Sequence, residues 1–388
     1  MKQKLQFKNI NFRLIVWLIA ISVIGVLAIG SAKESLQTRQ LAGVIVGIFL
    51  MAFLMFFDYK LILKLYWIIY IVNVALLVLV NQIGDSANNS QRWIEIAGIR
   101  FQPSEAAKIL LILFFAQFIM KHKEDLNTVR VLFISLLTFL IDFVLIYKQP
   151  DMSTSIMIVI IFCTVMYVGG VSRKLIYILA AVTIPVVVVA LFLVLQPDQE
   201  IIEDYQQKRI LAWLQPDKYA LAEAFQQQNS IMAIGSGQLF GKGLNNNEVG
   251  SVKNGKYISE PQTDFIFAII GEEMGFAGGA TVIVLEMLIA WECFLVGTKA
   301  SELAGSIICY GMGSLVCFQS FINIGVTTGL LPNTGLPLPF VSYGLTSLIT
   351  LYAGMGFVLS VGLHRKTARP AGTISFTELL QEDKGVSE

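Results

Sequence analysis

Leu14-Ile15-Val16-Trp17-Leu18-Ile19-Ala20-Ile21-Ser22-Val23-Ile24-Gly25-Val26-Leu27-Ala28-Ile29-Gly30 runs for 17 residues without a charged side chain. Crossing the hydrocarbon of a bilayer takes roughly 20 mostly apolar residues. Inside it the backbone must satisfy its own hydrogen bonds, which favours helix. Nine further runs follow, near 41–57, 62–82, 104–120, 129–147, 152–170, 174–195, 265–294, 303–330 and 341–363. The composition agrees: 55% of the 388 residues are hydrophobic and 14% charged, with a mean hydropathy of +0.70. This is an all-α polytopic membrane protein of about ten spans, with residues 1–363 as one membrane domain and 364–388 as a polar tail. Runs 265–294 and 303–330 exceed a simple span, so tilted or broken helices are expected there.

Cations sort by side. With the N-terminus in the cytoplasm, Lys2, Lys4, Lys8, Arg13, Lys60, Lys64, Lys121, Lys123, Arg130, Arg173, Lys174, Lys299, Arg365, Lys366 and Arg369 fall inside. The opposite short loops hold only Lys33, Arg39, Arg92, Arg100, Lys108 and Lys148. The bias puts both termini inside and the long polar loop, about 196–264, outside. The first run is long for a cleaved leader and is expected to stay as a helix. The formal net charge of +1 gives no sign of a nucleic-acid partner.

Cys163, Cys293, Cys309 and Cys317 all fall in apolar runs and read as small core residues. His122 and His364 both lie on the cytoplasmic side, so acid–base chemistry at the outer face must use carboxylates. The richest outer stretch is Glu260-Pro261-Gln262-Thr263-Asp264-Phe265, which closes the long loop where a span begins. A carboxylate there can act as base on a lipid-linked substrate half in the bilayer. The alternative is an acid in a first helical turn, stabilised by the helix dipole. Glu260 is divided in the same way between support of Asp264 and capping.

Other polar groups near the spans carry dual readings. Ionisable residues at membrane depth are costly and often functional. Glu105 and Lys108 open the fourth run three residues apart, on one face, as a pair or as a helix-start acid with a snorkelling lysine. Asp142 reads as buried against a partner and Asp151 as a cap for the sixth run. Glu272 and Glu273, between Gly271 and Gly275, suggest a kinked position lined by water, or a structural role. Gly235 to Gly243 fails the Walker spacing, which leaves a glycine-permitted turn or a backbone cradle for a diphosphate that would include Lys242. Three prolines and three glycines in Gly329–Gly344 preclude a regular helix and suggest a re-entrant segment shaping a pocket.

Taken together, these stretches resemble the SEDS family, the RodA/FtsW type of peptidoglycan polymerase. The resemblance is carried by Gln91-Arg92-Trp93-Ile94, Phe101–Lys108, Lys148-Gln149-Pro150-Asp151, Ile234–Gly237 with Gly241-Lys242-Gly243, Thr263–Phe267 with Gly271–Gly275, and Asn323–Ser347. Leu345, Asn333, Asn89-Ser90 and Met152-Ser153 depart from its usual pattern, and none is a charged position. The resemblance implies an inverting glycosyltransferase that joins lipid II units on the outer face of the bacterial cytoplasmic membrane. Undecaprenyl diphosphate leaves, the essential aspartate maps onto Asp264, and the family's Glu–Lys pair maps onto Glu105 and Lys108. Arg92, Glu260 and Lys242 are expected as substrate-binding support. A divalent cation, Mg²⁺ or Mn²⁺, is expected, with Glu105 as a candidate ligand, and so is a class B penicillin-binding protein as partner. Short termini lean toward the chain-elongation type over division. A lipid flippase and a non-catalytic scaffold of the cell-wall complex are the competing functions.

Overall fold

The computed structural model describes residues 9–365, apart from 88–89, 97–98, 150, most of 176–203, 220–223, 246–250, 252–254 and 256. Its helices are α1 (Phe12–Ala32), α2 (Glu34–Phe56), α3 (Tyr59–Leu63), α4 (Tyr66–Ile83), α5 (Pro103–Lys121), α6 (Val129–Tyr147) and α7 (Met152–Val168). There follow α8 (Asp204–Leu214), α9 (Phe225–Ser236), α10 (Ile266–Thr298), α11 (Leu303–Thr327) and α12 (Leu345–Leu363). Among the described residues seven helices are long and apolar enough to cross a membrane, and two shorter apolar ones, Tyr66–Gln82 and Met152–Val168, accompany them. The protein is a multi-pass helical membrane protein. The expected run 174–195 lies mostly outside the described residues, as does the tail from 366.

Local chemistry explains several boundaries. Asn11 caps α1, its Oδ1 accepting the Leu14 N–H at 3.2 Å. Asp58 does the same for α3, so the single run expected at 62–82 becomes α3, a turn at Lys64-Leu65, and α4. Pro103 sits in the first turn of α5, where its missing N–H costs nothing.

Apolar burial gives helices little reason to associate in lipid, so close approach has to supply the contact. Gly43 and Gly47 of α2, one turn apart, face Leu345 and Tyr352 of α12, and a side chain at Gly47 would enter the Tyr352 ring. α5 lies innermost and is buried along nearly its whole length, against α4, α7, α11 and α12.

Two departures from regular helix organise one end of the bundle, which we call the pocket end. α10 is broken at Gly275, whose φ of 65° and ψ of −162° leave the helical region. Residues 328–344, between α11 and α12, carry no regular structure, yet Leu336, Leu338, Phe340 and Val341 are buried. In contrast, α11 is a single helix that stops at Thr327. The pocket end also carries three short antiparallel strands that an all-α reading did not include: β1 (Asp85–Ala87), β2 (Ser90–Ile96) and β3 (Ile99–Phe101). Thr346 Oγ1 pins this meander to α12 by donating to the Arg100 carbonyl at 2.9 Å.

Candidate active site

Asp264 lies in the turn that leads into α10, half-buried. Its backbone is fixed from below. Asn323 of α11 donates through Nδ2 to the Asp264 carbonyl at 2.8 Å and to the Leu336 carbonyl at 2.6 Å. Ser342 Oγ donates to the Thr263 carbonyl at 2.6 Å, and the Tyr343 N–H donates to the Gln262 carbonyl at 2.8 Å. The irregular 328–344 segment and the Asp264 turn therefore form one hydrogen-bonded unit. Gly335 touches the carboxyl itself. With φ at 80°, it occupies the left-handed region, and a Cβ built there would stand 3.2 Å from Asp264 Oδ2.

The charges around Asp264 oppose one another. Burial pushes its carboxyl up to about 6. Arg209 is the strongest influence holding it down, followed by Glu260 raising it, Arg92 lowering it and Asp151 raising it. A carboxylate so balanced is ionised at neutral pH and is a better base than an exposed aspartate.

Beside this turn is a cavity of about 230 Å³. Arg92 of β2 and Gln206 and Arg209 of α8 supply its charged and polar wall. Met152 and Ile156 of α7, with Ile210 and Trp213 of α8, supply an apolar one. Residues 332–334 form the remaining side, tied to α7 where Ser153 Oγ donates to the Thr334 carbonyl. α8 is anchored over the opening by Trp213 Nε1 to the Gly329 carbonyl at 2.9 Å and by Arg209 Nη1 to the Asn333 carbonyl at 3.4 Å. Arg92 donates through Nε to the Gln149 carbonyl at 3.1 Å and stands 3.9 Å from Asp151 Oδ1. Asp151 caps α7, accepting the Thr154 N–H at 3.2 Å, and also accepts from Ser104 and Gln102.

The other expected site residues are placed elsewhere. Glu105 and Lys108 are a buried pair, 3% and 1% exposed, with Lys108 Nζ 2.8 Å from both Glu105 Oε1 and Gln319 Oε1. Gln319 Nε2 donates to the Pro337 carbonyl at 2.9 Å, so the pair reaches the site through the irregular segment. It does not line the cavity. Lys242 lies on the Gly235–Gly243 turn, where its Nζ meets Glu272 Oε1 at 2.9 Å. That turn's amides serve α10. Lys242 N–H and Gly243 N–H donate to the Glu272 and Glu273 carbonyls at 3.0 and 2.9 Å, across the Gly275 break. Glu273 accepts from Ser31 at 2.5 Å. Glu260 is exposed and acts on Asp264 only through its charge. Asp142 is buried against Asn73, 3.0 Å away.

Of the Glu105 carboxylate oxygens, Oε1 is held by the Lys108 ammonium group and Oε2 is buried with no hydrogen-bond partner, while no group of three or more His, Cys, Asp or Glu converges among the described residues. The residues that the sequence did not single out are Arg209, Gly335, Asn323 and Gln319. Asn323 and Gly335 lay within the recognised 323–347 stretch. Arg209 lay in the long loop, whose charges say little about topology, and only its proximity to Asp264 reveals it.

Residues 5–367 match the FtsW/RodA/SpoVE family of cell cycle proteins. Peptidoglycan glycosyltransferase MrdB of Escherichia coli K12 is 33% identical over 298 residues, covering 77% of this chain and 78% of that protein. Stage V sporulation protein E of Bacillus subtilis 168 is 33% identical over 336 residues, 84% of this chain and 87% of its own. Among solved structures, a chain of a peptidoglycan synthase complex that coordinates polymerization and crosslinking superposes with a TM-score of 0.77 at 26% identity. It covers 92% of this chain and 99% of that one. The rod shape determining protein RodA of Thermus thermophilus superposes with a TM-score of 0.67 at 25% identity, over 92% and 98% of the two chains.

Proposed function

This chain belongs to the FtsW/RodA/SpoVE family of cell cycle proteins, and we propose that it acts as a peptidoglycan glycosyltransferase that polymerises lipid II at the outer face of the membrane, with Asp264 as its base. The single observation that carries the role of Asp264 is its setting. It is a half-buried carboxylate of raised pKa, clamped by Asn323 and Gly335 beside a cavity with an arginine wall and an apolar wall. A lipid-linked sugar diphosphate has those same two parts, one anionic and one apolar.

Asp264 accepts the proton of the acceptor's 4-hydroxyl as that oxygen attacks the anomeric carbon of the growing glycan. The bond to the diphosphate breaks, and its electron pair leaves with the diphosphate oxygen. One in-line displacement inverts the α-linkage to β. Because a diphosphate leaves well, no second carboxylic acid is needed, unlike in a glycosidase. Glu105 and Lys108 act by position: through Gln319 they hold the Pro337 carbonyl, in the segment that walls the site. A divalent cation, if bound, would be held by Glu105, whose Oε2 is buried without a partner, and would neutralise charge on the diphosphate. A class B penicillin-binding protein is the proposed partner, because the chain resembles one from a synthase complex that couples polymerization to crosslinking.

Purified protein given labelled lipid II, with and without its transpeptidase, tests the reading by gel separation of glycan products. Asp264→Asn keeps the shape and removes the base, and product formation should fall about 10²- to 10⁴-fold. Wild-type chain lengths from that variant would remove Asp264 from the role.

A further inference from the structure

One helix of the pocket end is built inside out. α9 (Phe225–Ser236) lies in the long loop that the cation bias places outside the membrane. A helix at a watery surface turns its polar face outward. In α9 the polar side chains Gln227, Asn229 and Ser230 are the buried ones. Gln227 Nε2 donates to the Val326 and Leu331 carbonyls, both at 2.7 Å, and Ser230 Oγ donates to the Thr327 carbonyl at 2.8 Å. Asn229 Nδ2 donates to the Phe225 and Tyr257 carbonyls at 2.9 and 3.2 Å. The outward face carries Phe225, Ile231 and Met232, and the turn after it carries Leu239 and Phe240, the last 78% exposed. We propose that α9 and its following turn, as far as Gly241, are seated among the acyl chains of the membrane leaflet at the pocket end.

Three further observations identify lipid as what covers this face. The first is charge. Phe225 to Gly241 runs for 17 residues without a charged side chain, although the loop carries Asp217 and Lys218 before it and Lys242 and Glu260 after it. Lys242, at its edge, is paired with Glu272 at 2.9 Å. The second is depth. Helix from Phe276, just past the α10 break, to Thr298 is about 33 Å long at 1.5 Å per residue, enough for a hydrocarbon core of roughly 30 Å. Lys299 follows at the far end, so Phe276, 71% exposed, marks the boundary at the pocket end. The turn is tied to that level, because the Phe276 and Ala277 N–H groups donate to the Gln238 and Leu239 carbonyls at 2.8 and 3.0 Å. The third is the backbone. Lipid offers main chain no partner, so irregular chain enters it only with its polar groups already paired. This turn meets that condition, since the Gly241 N–H also donates to the Gly237 carbonyl at 2.7 Å and the next two amides donate into α10. In water, Met232, Leu239, Phe240 and Phe276 would form a bare apolar patch; in lipid they are ordinary membrane-facing side chains. Through Gln227 and Ser230 the seat also sets the level of the end of α11 and the start of the 328–344 segment beside Asp264.

The accessibility of a nitroxide label tests the seat. In the full chain with its four cysteines replaced by alanine, Met232→Cys and Phe240→Cys are each spin-labelled and reconstituted into phosphatidylethanolamine–phosphatidylglycerol vesicles. Phe49→Cys, on the exposed face of α2, gives the lipid reference, and Glu260→Cys, on the exposed loop, gives the water reference. Oxygen concentrates among acyl chains and a nickel chelate stays in water, so power saturation with each reports what surrounds the label. At 232 and 240 the ratio of oxygen to nickel collisions should match that at 49 and exceed that at 260 severalfold. Nickel collisions at 232 and 240 equal to those at 260 would place the element in water and overturn the seat. Exclusion of both reagents would mean that protein covers the face, a second copy or a partner's membrane helix, and would overturn it too. Met232→Asp in the unlabelled chain reads the same point. In lipid the charge should cut the recovery of folded protein from the membrane, while Met232→Leu leaves it unchanged. Undiminished recovery of Met232→Asp would overturn the seat as well.

Discussion

Two stretches of broken backbone lie at the pocket end, and the balance of main-chain and side-chain hydrogen bonds that satisfies them differs. At Gly275 the α10 helix is interrupted, and a second piece of main chain is spliced into the gap. Lys242 and Gly243 donate to the released carbonyls of Glu272 and Glu273, while the Gln238 and Leu239 carbonyls accept from Phe276 and Ala277 at 2.8 and 3.0 Å. The 328–344 segment has main-chain bonds too, such as Tyr343 N–H to the Gln262 carbonyl, but adds single side chains: Gln319, Asn323 and Ser342 each hold one or two main-chain groups. A main-chain splice is sealed and indifferent to chemistry. A segment held by side chains keeps its shape while turning one face toward a cavity. Buried backbone must be paired in either case, but only the second arrangement leaves room for a substrate.

The two should therefore fail differently. A side chain at Gly275 would meet the Gly241 and Phe240 amides, and a φ of 65° is strained for a β-branched residue. Gly275→Val should cost about 3 kcal/mol or more, seen as lost folded protein on extraction. Gly335→Ala adds a methyl 3.2 Å from the Asp264 carboxyl at a φ of 80°. Its cost in stability should be about 1–2 kcal/mol, while polymerisation falls about tenfold to a hundredfold through displacement of the base. Loss of folding at Gly335 with normal activity at Gly275 would reverse the assignment of the two breaks.

The Glu105–Lys108 pair sharpens the same distinction at the next level down. Lys108→Ala leaves a buried carboxylate uncompensated, a loss of about 3–5 kcal/mol. Replacing both partners, Glu105→Gln with Lys108→Met, removes both charges at similar volume and should return most of that stability. If the pair only positions Gln319, the double variant recovers activity together with melting temperature. Restored melting temperature with no polymerisation would give Lys108 a chemical role.

Much of this was legible in the sequence, for physical reasons that differ from region to region. Apolar runs announce spans because lipid tolerates no alternative, and α6 begins and ends at the residues where its run does, 129 and 147. The α10 break could be anticipated from paired acids between glycines, and the Asp151 cap from its place before an apolar run. The Gly235–Gly243 turn shows the limit of such reading. A glycine-rich loop with a lysine offers the same amides to a phosphate or to a broken helix, and only tertiary contact decides between them. Lys108 taught a similar lesson, since spacing gave its pairing with Glu105 but not that both face the bundle core. Arg209 was out of reach, because nothing local marks which cation of a polar loop will stand beside a carboxylate 55 residues later, at Asp264.

The smallest expected effects concern pH. Because kcat/KM reports the free enzyme, polymerisation should decline on the acid side with an inflection near 6, the value to which burial pushes Asp264. An exposed aspartate would place it near 4. The same shift acts on stability with a fixed sign. A carboxyl with its folded pKa raised favours the folded state only while protonated, so that contribution is lost as pH rises from about 4 through 6. Asp264→Asn should accordingly match the wild type below pH 4. It should become more stable between 4 and 6 and keep an advantage of about 1 kcal/mol at neutral pH, the full shift being discounted for partial exposure. Individual charges then move the kinetic inflection by their order of influence. Arg209→Gln removes the strongest cation and should shift it to higher pH; Glu260→Gln removes an exposed neighbouring acid and should shift it slightly lower. Salt should shrink the Glu260 effect, since exposed charges are screened over about 8–10 Å. A profile flat down to pH 5, or one unmoved by Arg209→Gln, would detach the base from the electrostatic setting that distinguishes this turn from the sealed splice at Gly275.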